Sequence, residues 1–158
     1  MAKSRRTHTR GFSLLELVIA VAIIAIIAAI GIPRLSRGTR GAADSALSGN
    51  LALLRNAIDI YGAEHAGAYP TVADVNDQLT QYTNAAGGVS ATKDTTHIYG
   101  PYVRSIPPLP VGAKKGKVGI AAADGANVGW IYTESTGSIR ANTTASEMDE
   151  ANKLYSDY

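Results

Sequence analysis

The sequence predicts an α+β fold: one long N-terminal helix, whose second half packs against a small C-terminal antiparallel β-sheet. Three observations predict it. Of the 21 residues from Phe12 to Ile32, all but Ser13, Glu16 and Gly31 are apolar. Leu47, Leu51, Leu54, Ile58 and Tyr61 then recur at spacings of four and three, which draws one apolar stripe along an amphipathic helix. Near the C-terminus, short β-prone runs alternate with turn residues. The mean hydropathy of 0.00 averages an apolar rod with a head rich in Gly, Ser, Thr, Asn and Tyr.

The charge is also an average. Four of the 15 basic residues (Lys3, Arg5, Arg6, Arg10) precede the apolar run, so 11 bases face 13 acids from Phe12 onward, a balance of −2. The basic residues of the body are scattered, which gives no support for nucleic-acid binding. The absence of cysteine excludes disulfides, thiolate chemistry and Cys-containing zinc sites. Only His8, His65 and His97 remain as imidazole ligands.

A basic start followed by an apolar stretch has three readings: a cleaved secretory signal, a membrane anchor, or a leader that is cut before the apolar stretch. A secretory h-region spans about 7 to 15 residues. As a helix, 21 residues cover about 31 Å, close to the hydrocarbon thickness of a bilayer, so length favours a span. The basic flank puts the N-terminus in the cytoplasm and the head across the membrane. Glu16 is costly in lipid, on the order of 2.5–3.5 kcal/mol at mid-bilayer and less near an end, unless it reaches water at the interface or finds a partner. Ala20, Ala22, Ala25, Ala28 and Ala29 permit close helix packing, with Ala25 and Ala29 at small-xxx-small spacing. Pro33 lacks an amide donor and should kink the helix.

The apolar stripe predicts that the helix continues to between Gly62 and Ala66, where Gly67 and Pro70 follow. His65 reads as a solvated residue at that end. A short helix is expected over 73–79 and a loop over 83–96. The segment Ile106-Pro107-Pro108-Leu109-Pro110 reads as an extended connector. Strands are expected at 117–122, 129–133 and 138–141, with Asp124-Gly125 and Ser135-Thr136-Gly137 as turns, which makes an antiparallel meander over the Leu47 stripe. Ser146-Glu147-Met148-Asp149 has the look of a capping box opening a last helix to about Tyr155.

The segment Arg10-Gly11-Phe12-Ser13-Leu14-Leu15-Glu16-Leu17-Val18-Ile19-Ala20 resembles the processing site of type IV prepilins and type II secretion pseudopilins. Tyr69-Pro70-Thr71 and Tyr102 to Pro110 resemble pieces of the pilin and pseudopilin head, more loosely. The resemblance implies cleavage between Gly11 and Phe12 by a prepilin peptidase, and methylation of the new Phe12 amine. Gly11 suits a protease cleft because it brings no side chain. The resemblance also implies that Glu16 neutralises the Phe12 ammonium of a neighbouring subunit; an intrachain pair is open too, since the two stand four residues apart. It implies a pilin-like division: leader 1–11, transmembrane and filament-core helix 12–32, amphipathic continuation 33–66, and head 67–158.

No hydrolase nucleophile elbow, phosphate loop, dinucleotide fingerprint or zinc-protease helix is present, so the chain reads as a non-enzyme. Some major pseudopilins bind calcium through a C-terminal loop, which makes Asp124, Glu134 and Asp149 calcium candidates. The Asp- and Gly-rich loop of that pattern is missing here, and surface solvation of these acids is the favoured reading; no other cofactor is implied. Asn142-Thr143-Thr144 matches a glycosylation acceptor, a motif short enough to recur by chance.

The resemblance implies a structural subunit of a type II secretion pseudopilus, most like a major pseudopilin. Its partners would be copies of itself in a helical filament, the prepilin peptidase and an inner-membrane assembly platform. It would start as a single-pass inner-membrane protein with a cytoplasmic N-terminus, then join a periplasmic or extracellular filament. The alternatives are a type IV pilin serving adhesion, motility or DNA uptake, and, from another class, a secreted or anchored binding domain or enzyme behind an ordinary signal.

Overall fold

The computed structural model describes residues 12–158, with the side chains of residues 31–37 outside the described set. The α+β class holds. Helix α1 spans Leu14–Glu64 and is followed by α2 (Val75–Thr80), β1 (Tyr82–Thr83), β2 (Val89–Ser90), β3 (Gly119–Ala121), β4 (Val128–Thr133) and β5 (Ser138–Ala141), with a closing 3-10 turn at Tyr155–Asp157. The residues fall into two compact units, one ending at Thr39 and the other running from Arg40 to Tyr158. The kink expected at Pro33 lies outside the described residues, as do the leader and Gly11.

In the second unit the apolar stripe of α1 is the floor of the core. Leu47, Leu51, Leu54, Ile58 and Tyr61 are all buried, together with Leu79, Leu109, Trp130, Tyr132 and Ile139. Each fully buried aliphatic or aromatic side chain contributes about 1.5–3 kcal/mol relative to exposure. The helix stops where the stripe stops: Ala66 and Gly67 take positive φ of 54° and 87°, and the Gly67 amide returns to the Gly62 carbonyl at 2.8 Å. This left-handed exit ties off the last carbonyls and suits glycine.

The three C-terminal strands form where the pattern places them, in the order β3-β4-β5. The antiparallel meander needs correcting, however. Strands β4 and β5 are antiparallel, while β3 lies parallel to β4 in the register Ile120↔Trp130 and Ala121↔Ile131. Asp124-Gly125 does not join β3 and β4 as a hairpin, since the two strands run parallel, and the pair has other partners. The Asp124 carboxylate takes the Lys114 ammonium at 2.8 Å and the Asn142 amide at 2.8 Å, and Lys114 also reaches the Gly125 carbonyl at 3.1 Å. Asn76 of α2 both donates to the Ile120 carbonyl and accepts its amide, each at 3.2 Å, so a side chain covers part of the β3 backbone.

Trp130, whose facing the alternation left open, is fully buried, and its Nε1 donates to the Pro107 carbonyl at 2.8 Å. Asn50 of α1 donates to the Pro108 carbonyl at 3.2 Å. The proline connector belongs to no helix or strand, and it is pinned by Asn50 of the helix and Trp130 of the sheet.

Two further expectations change. The stretch 83–96 contains a small antiparallel pair, β1 with β2, turned by Asn84, whose Oδ1 accepts the amides of Ala86 and Gly88. The final helix does not form. Glu147 is drawn away to the amides of Thr144 (2.7 Å) and Ala113 (2.5 Å). Asp149 accepts the amides of Ala151 and Lys153, and Asn152 sits at φ 63°. Side-chain bonds, both local and to the distant Ala113, thus outcompete the helical ladder, and the segment instead makes a bridge between Met148 and Leu154.

Candidate functional site

The candidate site is the N-terminal part of α1. Every residue from Phe12 to Ile27 is exposed, as are Ala29 and Ile30. Phe12 is 89% exposed, and the leucines, valines and isoleucines of the stretch all lie at 50% or more. An apolar surface all round a helix has no stable place in water; it belongs in lipid or among other helices. Among the described residues no helix is long and apolar enough to cross a membrane. The stretch with described side chains, Leu14 to Ile30, makes about 26 Å of helix against roughly 30 Å of hydrocarbon. The expected span to Ile32 runs beyond it.

Glu16 has a defined local role in this stretch. Its Oε2 accepts the Ser13 amide at 2.9 Å, while the Ser13 hydroxyl accepts the Leu15 amide at 3.3 Å. Ser13 and Glu16 therefore form a reciprocal cap on the first turn. The S-x-x-E spacing carried that signal in the sequence, where Glu16 was read for its charge alone. A carboxylate in a first turn also gains about 0.3–1 kcal/mol from the helix dipole. The bond lies one residue from Phe12, so a charge on the Phe12 nitrogen would arise beside a carboxylate already held in place.

The other predicted residues lie in the second unit. Asp124 is salt-bridged to Lys114, which holds its carboxyl below the usual range. Glu134 accepts the Val72 amide at 2.8 Å, and Asp149 accepts the Tyr158 hydroxyl. Among the described residues no three His, Cys, Asp or Glu side chains gather as a metal group. The Asn142 side-chain nitrogen donates to Asp124 and to the Val128 carbonyl, and the residue is buried, so the folded chain does not present its amide for glycosylation.

His65 overturns its solvated reading: it is only 5% exposed. It packs flat on Tyr61, with ring centroids 3.8 Å apart and an interplanar angle of 3°. The ring is enclosed by Tyr61 of α1 together with Thr83, Asn84 and Tyr99. Asp44 was also missed; it accepts the Tyr155 hydroxyl at 2.8 Å and fastens the C-terminal segment to α1.

Comparison with known families matches residues 6–32 to the prokaryotic N-terminal methylation motif. The match supports a type IV pilin-like reading of this N-terminal segment. The match covers 27 of the 158 residues and contains Gly11, Phe12 and Glu16. No curated protein and no solved structure matches the chain. The motif itself implies processing by a prepilin peptidase and pilus-type assembly.

Proposed function

We propose that this chain is a structural subunit of a type II secretion pseudopilus, cut between Gly11 and Phe12, methylated on Phe12, and assembled from the inner membrane into a helical filament. The observation that carries this reading is the capped apolar helix starting at Ser13, whose exposed surface needs first lipid and then other copies of itself. Cleavage before the helix, unlike secretory cleavage after it, keeps that surface in the mature chain. Glu16 then meets a Phe12 ammonium. At 4 Å and an effective dielectric of about 20, such a pair gains roughly 4 kcal/mol before desolvation. That offsets the cost of a carboxylate in an apolar layer, so a registered subunit is favoured over a stray one.

The function is mechanical rather than enzymatic: subunits leave the membrane and lengthen a rod that pushes cargo outward. Calcium stays a minor proposal, since Asp124 already holds an ammonium. The decisive experiment is mass spectrometry of the N-terminus of the mature protein. A methylated Phe12 supports the filament subunit; a terminus after Ala28 or Ala29 would establish an ordinary secretory signal instead. A deletion strain separates the two filament readings, because loss of a secreted protein marks the pseudopilus, whereas loss of surface fibres, adhesion or DNA uptake marks a type IV pilus.

A further inference from the structure

In an α-helix an amide closes on the carbonyl four residues back, which would pair Leu15 with Gly11 and Ser13 with Thr9. Here both amides have other partners. The Leu15 amide donates to the Ser13 hydroxyl at 3.3 Å, and the Ser13 amide donates to the Glu16 carboxylate at 2.9 Å. The helical ladder of α1 opens one step later, with the Leu17 amide donating to the Ser13 carbonyl at 3.1 Å. We infer, on the reading above that the chain is cut between Gly11 and Phe12, that Ser13 is a positioning residue for that cut. Its hydroxyl holds the Leu15 amide away from the Gly11 carbonyl and so keeps the scissile bond out of the helix.

The chemistry needs that bond free. Hydrolysis adds water across it, leaving a carboxylate on Gly11 and an ammonium on Phe12, and the water must reach the carbonyl carbon from above its plane. Inside a helix the carbonyl is bonded to the residue four ahead and enclosed by the turn around it. A turn would have to melt before each cut. Extension is the default for a long helix, because each added residue gains a bond without a new nucleation cost. A boundary therefore has to be set by a side chain, and serine is among the residues that set one best.

The boundary falls at the matched motif. Phe12 and Ser13 are exposed and lie outside α1, within the segment 6–32 that matches the methylation motif. Two side chains withdraw two amides, but the amide aimed at Gly11 is the one that Ser13 takes. Loss of the Glu16 carboxylate leaves that bond in place, so Glu16 bears on assembly and Ser13 on the rate of the cut.

The test uses the full chain, leader included, in detergent with a purified prepilin peptidase, and follows the cut by mass spectrometry over time. Ser13→Ala should be cut about two- to threefold more slowly than wild type, the lower end of what a lost cap is worth. The effect is partial because the freed Leu15 amide divides its time between water and the Gly11 carbonyl. Ser13→Asn changes the side chain but caps as well as serine, and should be cut at the wild-type rate. In parallel, the α-carbon chemical shifts of Gly11 and Phe12 should move toward helical values in the alanine variant alone. Equal rates for the alanine variant and wild type overturn the positioning role. So does an asparagine variant as slow as alanine, which would mean that the peptidase reads the hydroxyl itself. A wild-type chain left uncut between Gly11 and Phe12 overturns the cleavage reading as well, which separates the two failures.

Discussion

The Glu16 carboxylate accepts the backbone amide of Ser13 at 2.9 Å, three residues back in the same chain. A cap and a charge therefore reside in one side chain, and the two can be separated. Glu16→Gln keeps an oxygen for the Ser13 amide and removes the charge. If Glu16 serves assembly by neutralising the Phe12 ammonium, Glu16→Gln and Glu16→Ala are both processed normally yet form no filaments, as read by immunoblotting of cleavage and sheared fibres. Filaments from the Gln variant at wild-type levels would sink the charge role and leave the cap.

Ser13→Ala is the complementary change. It removes the acceptor of the Leu15 amide and should cost the first turn about 0.5–2 kcal/mol. Filaments should still form, because the carboxylate remains. Faster amide exchange at Leu15, with assembly near wild type, is the expected pair of readouts.

Gly129 in β4 has no room for a side chain. A Cβ there would lie 2.2 Å from the Lys117 carbonyl oxygen, which is backbone and cannot swing aside. Gly129→Ala should destabilise the chain by at least about 1–3 kcal/mol, a strain cost of the kind seen on overpacking a core. Chemical denaturation of the purified protein measures it. A loss under about 0.5 kcal/mol, the size of an ordinary surface change, would mean that the backbone approach relaxes freely.

Tyr132 is fully buried and donates to the Pro70 carbonyl at 2.9 Å. Tyr132→Phe leaves that carbonyl without its partner and should cost about 1–3 kcal/mol. The same denaturation measurement checks it, with Leu54→Ala, expected to cost about 2–5 kcal/mol, as the packing reference.

Acid should weaken the C-terminal segment first. The amide of Thr144 holds the Glu147 carboxyl below its ordinary range, and the Tyr158 hydroxyl does the same for Asp149. Because both are lowered in the folded state, their contribution is present above the ordinary carboxylate range, near pH 4, and is lost as pH falls through the folded values. Thermal melts from neutral pH down to about pH 3 should show this fall, and Glu147→Gln should flatten it. A variant as acid-sensitive as wild type would assign the fall to other groups.

Much of the fold is legible in the sequence because its signals are periodic and local. Leu47 to Tyr61 declare their face by spacing alone, and the positions of β4 and β5 follow from β-prone runs between turn residues. Other features depend on partners distant in the chain. Asp124-Gly125 reads as a turn until Lys114 and Asn142 claim the carboxylate. Glu147 reads as part of a helix start until Ala113, 34 residues back, offers its amide.

The sequence by itself determined the apolar rod, its methylation motif at residues 6–32, the amphipathic stripe and the location of the strands. These rest on residue type and spacing, which act over one or two turns of chain. The tertiary structure decided that β3 runs parallel to β4, that the C-terminal segment forgoes a helix, and that His65 is buried between carbonyls rather than solvated. Each depends on which hydrogen-bonding groups meet across long stretches of chain. Only a folded backbone selects one donor for each acceptor, and no local pattern records that choice.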